Sequence, residues 1–132
     1  MKGRVLAEGV AEGRALVLEE PLSFWGGIDP ATGLIIDARH PQLGASIQGR
    51  VLAMPAVRGS SSSSSVLAEA ARAKTAPAAI LLGEPDLILS VGAAVAEELY
   101  GPRIPIVVLA AEDMKSISDG AWVHVSGAEV SV

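Results

Sequence analysis

Met54-Pro-Ala-Val-Arg-Gly-Ser-Ser-Ser-Ser-Ser-Ser-Val66 sits at the join between two kinds of sequence pattern. Before it, Val51 to Met54 is a short apolar run that closes on Pro55, with Gly59 four residues on. After it, Val66-Leu-Ala-Glu-Ala-Ala-Arg-Ala73 is made of strong helix formers, with Val66, Leu67, Ala70 and Ala71 on one face. The pattern predicts a strand, a tight loop, and a helix whose first turn is serine. A helix N-terminus carries unpaired N–H groups and a partial positive charge, so it favours a carboxylate or phosphate. Serine adds hydroxyls that cap the helix, bind an anion or move a proton. Capping alone is the plain alternative, and a flexible serine linker is another. No spare residues separate the apolar run from the amphipathic one, which weighs against a linker.

Working outward, 132 residues suffice for one domain, 1–132, with its own core. Half the residues are apolar, mostly Ala and Val, with only one Phe, one Tyr and two Trp, which suits a tight α/β core. Mean hydropathy is +0.44, high for a chain without a spanning segment, and predicts apolar surface covered by a partner. The longest apolar runs, Ala76 to Leu82 and Ile104 to Ala111, fall far short of the ~20 residues that cross a bilayer, so no membrane role is expected. No charged-then-apolar leader opens the sequence, and the expected location is cytoplasmic. Net charge is −5 with the cations scattered, which argues against nucleic-acid binding. With no cysteine and only His40 and His124, the chain is expected to bind no metal itself.

Along the chain, Gly3 to Val10 and Gly13 to Glu19 suggest an N-terminal hairpin turning at Ala11-Glu12. Pro21-Leu-Ser-Phe-Trp-Gly-Gly-Ile-Asp-Pro-Ala-Thr-Gly33 predicts an ordered loop. It acts either as a hydrophobic plug on a barrel end or as a face toward substrate or partner. Leu34 to Asp37 predicts a short strand, a polar loop follows at Arg39-His40-Pro41 with Gly44, and Ile47 to Met54 leads up to the serine loop. His40 is a candidate acid or base, or simply a loop-fixing hydrogen bonder. Asp37, Arg39, His40 and Arg58 are candidates for one shared pocket, Arg58 either gripping a carboxylate with its fork or closing a salt bridge. Pro77 to Gly83 and Ile104 to Leu109 predict buried strands, Leu87 to Tyr100 a helix stopped by Gly101-Pro102, and Asp113 to Asp119 a surface turn. Trp122 to Val125 and Glu129 to Val132 predict a closing hairpin with His124 facing solvent. The expected fold is α/β, a mixed sheet or barrel with flanking helices.

The aromatic Gly-Gly-Ile-Asp-Pro loop, Ile36-Asp37 with His40-Pro41 and Gly44, Gly49-Arg-Val-Leu52, and Pro55 before Arg58-Gly-Ser60 together resemble the small subunit of the aconitase X family. The resemblance extends through Ala76-Pro-Ala-Ala-Ile80 and Pro105-Ile-Val-Val108. It implies a swivelling β/β/α domain, like the mobile fourth domain of aconitase. Family members are hydro-lyases, acting on (R)-5-phosphomevalonate or cis-3-hydroxy-L-proline. The serine directly after Arg-Gly is the proposed general base, which carries over to Ser60, and the expected substrate-binding residues are Arg58, Gly59, Ser61 and Ser64. An iron–sulfur cluster is implied in a large partner subunit, forming a heterodimer over a small hydroxy-acid substrate. This loop departs from the Gly-Ser-Thr-Val-Gly-Ser pattern of archaeal members, with Ser63 at a glycine position. It also lacks the arginine that directly follows the serines in classical aconitase, so the substrate stays open. A non-catalytic, anion-binding or regulatory swivel domain is the competing expectation. A phosphocarrier role is disfavoured because no histidine starts the helix.

Overall fold

The computed structural model describes residues 1–132. In chain order the elements are β1 (Arg4–Ala7), β2 (Val10–Val17), the helical turn α1 (Phe24–Gly27), β3 (Ile28–Asp29), β4 (Leu34–Ile35) and β5 (Val51–Met54). They continue with α2 (Ser63–Arg72), β6 (Ala79–Leu82), α3 (Leu87–Tyr100), β7 (Ile106–Val108), α4 (Ala111–Lys115), β8 (Trp122–Ser126) and β9 (Glu129–Ser131). Seven strands form one sheet in the order β1-β7-β6-β5-β2-β8-β9, and β3 and β4 form a separate two-stranded ribbon. Strands β2, β5, β6 and β7 run parallel at its centre, flanked by antiparallel β1 and β8.

Parallel strands covered on both faces are apolar throughout, and β5 (VLAM) and β6 (AILL) are buried at every position. Successive side chains point to opposite faces, so each strand feeds two cores. Leu52, Met54, Ile80, Leu82 and Ile106 face α2 and α3 together with Leu67, Leu89 and Ala96. Val51, Ala53, Ala79, Leu81 and Val107 face the other way, toward Ile117, Val123, Val125 and Val130. Both β5-α2-β6 and β6-α3-β7 step in the same direction along the sheet, and right-handed crossovers then place both helices on one face. The return through α4 brings Met114 and Ile117 to the opposite face.

That second face closes on itself. The Met1 amino group donates to Val130 O at 2.7 Å. Val130 N–H donates to Met1 O and Gly3 N–H to Ala128 O, both at 2.8 Å, and Lys2 bridges Glu129. The sheet is curled into a half-barrel whose seam these residues close, with an interior mostly of Ala and Val, completed by Leu81, Leu109 and Ile117.

The expected fold class stands, and two local expectations do not. The N-terminal hairpin is absent: β1 leaves β2 and pairs instead with β7, Arg4 opposite Val108, while β2 lies between β5 and β8. Alternation fixes which face a strand buries and carries no information about its neighbour. Residues 111–115 form a helix before the expected turn. Five residues are too few for periodicity to register, although Glu112, Asp113 and Lys115 suit the helix dipole. The closing hairpin and α3 lie where expected, α3 being capped by Asp86, whose side chain accepts from Leu89 N–H.

Candidate functional site

The candidate site stands at the C-terminal end of β5, on the side of the sheet covered by α2. The strand end is locked first. Gly83 N–H donates to Met54 O at 3.3 Å and to Pro55 O at 3.1 Å. A Cβ on Gly83 would lie 2.6 Å from Pro55 O, so only glycine lets the ends of β5 and β6 touch. Farther along, Val57 bridges Leu22 and Arg58 N–H donates to Leu22 O at 3.2 Å. The backbone up to Arg58 is thereby pinned to the segment that carries α1.

Beyond this anchor the chain projects. Arg58 and Gly59 are exposed and Ser60 is half-buried. The Arg58 guanidinium takes part in none of the ion pairs of the chain and in no side-chain hydrogen bond, so the expected salt bridge does not form and its fork is free. Ser60 starts the turn that leads into α2: its carbonyl accepts from Ser63 N–H at 3.0 Å, and its Oγ accepts from Ser62 N–H at 3.3 Å. Ser64 Oγ donates back to Ser61 O at 3.2 Å. The N–H groups of Ser61 and Ser64 find no acceptor within the chain. Ser62, the residue before the first helical position, makes no side-chain capping bond. The serines therefore leave the helix N-terminus partly open, where an anion fits.

Ser63 is the serine that turns inward. It is 1% exposed, and its Oγ accepts from Trp25 N–H at 3.3 Å. This bond ties the serine helix to the aromatic loop, whose two expected roles divide between neighbours. Phe24 is fully buried and acts as the plug, while Trp25 is 59% exposed on the outside. From the other flank, α3 presents Gly92 to Ser64. A Cβ there would lie 2.9 Å from Ser64 O and 3.0 Å from its Cα, so α2 and α3 are in backbone contact where the helix starts.

Arg58, Gly59, Ser60, Ser61 and Ser64 thus lie in the one segment that joins β5 to the start of α2. The suggested companions are not part of the same network. His40 is buried; its Nδ1 accepts from Gln42 N–H at 3.1 Å, which leaves Nε2 to donate to Glu20 O at 3.1 Å. Both nitrogens are occupied by backbone, so His40 fixes its loop and does not work as an acid or base. Asp37 Oδ1 accepts from Arg39 N–H within the same turn, at 2.9 Å. The inward role of Ser63 left no sign in a run of identical residues. The largest cavity, about 680 Å³, lies at the far end of α2 and is lined by Ala76, Pro77 and Tyr100 among others. The serine loop is an open face in comparison.

The pattern that defines the aconitase X swivel domain matches residues 1–132. The chain belongs to the aconitase X swivel-domain family. It is 52% identical over 106 residues to a cis-3-hydroxy-L-proline dehydratase of Pseudomonas aeruginosa, covering 80% of this chain and 18% of that protein. To the cis-3-hydroxy-L-proline dehydratase of Hypocrea jecorina it is 41% identical over 130 residues, 98% of this chain and 22% of that one. It is 38% identical over 129 residues to the phosphomevalonate dehydratase small subunit of Methanosarcina mazei, 97% of this chain and 85% of the relative. The crystal structure of Thermococcus kodakaraensis aconitase X in its holo form superposes with a TM-score of 0.87 at 37% identity, covering 98% of this chain and 94% of that chain. The chain therefore spans about a fifth of the length of the two hydroxyproline dehydratases and most of the length of the small subunit. Membership in the aconitase X swivel-domain family accounts for the curled sheet with its flanking helices.

The chain's own residues do not fit an iron–sulfur group. It has no cysteine, and no three His, Asp or Glu residues cluster closely enough to hold a metal ion. No helix is long and apolar enough to cross a membrane.

Proposed function

We propose that this chain is the swivel component of a dehydratase and supplies the proton-accepting serine to a hydroxy carboxylate bound between it and a larger chain. The observation that carries this reading is the open start of α2, where an exposed, unpaired Arg58 and the Ser61 and Ser64 amides, which have no acceptor within the chain, flank Ser60. Such a face binds a carboxylate but does not enclose it, so a second chain must complete the pocket. The names of the relatives support two substrate classes, a cis-3-hydroxy-L-proline-like imino acid and (R)-5-phosphomevalonate.

Dehydration of a hydroxy carboxylate begins with removal of the proton on the carbon beside the carboxylate. Arg58 grips the carboxylate with two parallel N–H donors, and the helix N-terminus adds its partial positive charge. Ser60 Oγ, having first released its own proton to water, takes the substrate proton as the alkoxide and returns to the hydroxyl. An unaided serine hydroxyl is far too weak an acid to spend time as alkoxide, and the arrangement answers that directly. Ser62 N–H is aimed at Ser60 Oγ, the atom that carries the alkoxide charge before the substrate proton is taken, and is already in place in the resting loop. Gly59, with nothing within 4 Å of a would-be Cβ, leaves room for substrate against the backbone. Ser64 orders the turn through its bond to Ser61 O. An iron–sulfur cluster, which the family resemblance implies, belongs on this reading to the larger chain, because this chain lacks ligands for it.

The test is Ser60→Ala in the assembled enzyme, prepared anaerobically with the chain that co-purifies. Turnover of either hydroxy acid falls by roughly two to four orders of magnitude, while assembly is retained. Near-normal turnover by an assembled variant removes Ser60 from the mechanism. The second reading, a non-catalytic anion-binding or regulatory module, draws on the same open amides. It requires the isolated chain to bind a hydroxy acid measurably by calorimetry, with no turnover in any complex.

A further inference from the structure

Trp25 is 59% exposed although Phe24 next to it is fully buried. A single exposed apolar residue is ordinary. What sets Trp25 apart is that its backbone is fixed on both sides. Its N–H donates to Ser63 Oγ at 3.3 Å, and its carbonyl accepts from Ser23 Oγ at 3.0 Å. Gly26 follows with φ at 79°, and a Cβ on Gly27 would lie 2.9 Å from Leu22 Cδ1. Leu22 O in turn accepts from Arg58 N–H at 3.2 Å, and Ser63 N–H donates to Ser60 O at 3.0 Å. Two consecutive hydrogen bonds therefore link Trp25 to Ser60, and the exposed indole is rooted in the frame that holds the serine turn.

The charge of the two segments that meet here points to the kind of molecule the indole covers. Pro21 to Asp37 and Val51 to Ser65 together carry one cation, Arg58, against two carboxylates, Asp29 and Asp37. Asp37 stands close to the aromatic turn, its Cβ 4.0 Å from the Cβ position of Gly27. One guanidinium matches one carboxylate of a ligand. Neither segment offers a second cation to a phosphate, and the negative face of an indole repels one. A cation is attracted to that face, within about 6 Å of the ring centre, and more strongly once water is excluded.

Resting on the carboxylate grip and the Ser60 base described above, we propose that Trp25 determines substrate specificity. With the carboxylate held by Arg58, the indole covers a ring that carries a secondary ammonium. The substrate of this chain is then a cyclic hydroxy imino acid and not a phosphorylated, acyclic hydroxy acid. The larger chain, by closing over the open serine turn, dries the indole and strengthens its attraction for the ring cation. The bond from Trp25 N–H to Ser63 Oγ gives the buried serine a part in this. It keeps the indole in register with the turn that presents Ser60.

The test compares two inhibitors of the assembled enzyme turning over cis-3-hydroxy-L-proline. L-Proline and cyclopentanecarboxylate share the ring and the carboxylate and differ only in the ring ammonium, so the ratio of their inhibition constants isolates recognition of the cation. The enzyme should bind proline the more tightly. Trp25→Leu should shrink that ratio about tenfold, and Trp25→Phe should keep part of it. The side chain is exposed, so the fold should survive, with circular dichroism as the check. An unchanged ratio in Trp25→Leu overturns the proposal, and so does an enzyme that turns over phosphomevalonate but not the imino acid. Weakened assembly of Trp25→Leu with the larger chain, the ratio being kept, makes Trp25 a docking contact and overturns it too. Ser60→Ala is run alongside. Loss of turnover there with an unchanged ratio in Trp25→Leu removes Trp25 alone, whereas retained turnover removes Ser60 and leaves the ratio to decide Trp25.

Discussion

Five of the six consecutive serines do four different jobs, and position alone separates them. Ser63 is a packing residue, and its buried hydroxyl satisfies the Trp25 N–H in a partly buried setting. Ser63→Ala leaves that donor unpaired and should cost about 1–3 kcal/mol in thermal or denaturant unfolding; an unchanged midpoint removes the tie between the aromatic loop and the serine helix. Ser64 orders the turn, Ser61 and Ser62 contribute backbone N–H, and Ser60 alone presents a half-buried Oγ with a donor aimed at it. Arg58 makes a complementary test of binding. Arg58→Lys keeps the charge and loses the paired donors, so KM for a hydroxy carboxylate should rise about tenfold or more while kcat falls less. A larger loss in kcat than in KM assigns Arg58 to the transition state instead.

At the level of elements, α2 is held by its neighbours, not by its own caps. Ser62 makes no capping bond, and the helix start is fixed by Trp25 on one flank and Gly92 on the other. Gly92→Val forces a branched side chain into the Ser64 backbone. The expected loss is about 1–3 kcal/mol of stability, together with activity, because Ser60 shifts with the turn. Retention of full activity and stability means that α3 and the serine turn are independent. The exposed positions of the short helix α4 tolerate change by comparison, since none of its residues is buried, whereas Ile117 just after it belongs to the core.

For the whole molecule the critical feature is the seam. Met1 to Gly3 close the curled sheet through main-chain bonds to Ala128 and Val130. Deleting these three residues removes bonds worth about 1 kcal/mol each and opens the Ala–Val interior at Val130 to water. Hydrogen exchange should then rise first in β9 and β1, with β5 and β6 still protected. Uniform exchange across the sheet places the weak point elsewhere. The parallel centre carries the serine loop and the seam lies away from it, so the same deletion should spare catalysis more than stability.

Much of this was readable from residues. Apolar runs bounded by Pro and Gly located β5, β6 and β7 because parallel strands buried on both faces must be apolar at every position. The Asp86 cap and the Gly101-Pro102 stop bounded α3, and the change of pattern around Ser60 to Ser65 located the turn into α2. The chain's order of residues also excluded cysteine ligation outright. Only the tertiary structure decided which strand lies beside which, as β1 shows by leaving β2 for β7. Pairing is a choice among distant partners with equal local propensity, settled by how the barrel closes. It likewise decided that Ser63 turns inward and that both His40 nitrogens are taken by Gln42 and Glu20. Those outcomes depend on which backbone groups come within hydrogen-bond reach, which local sequence does not encode.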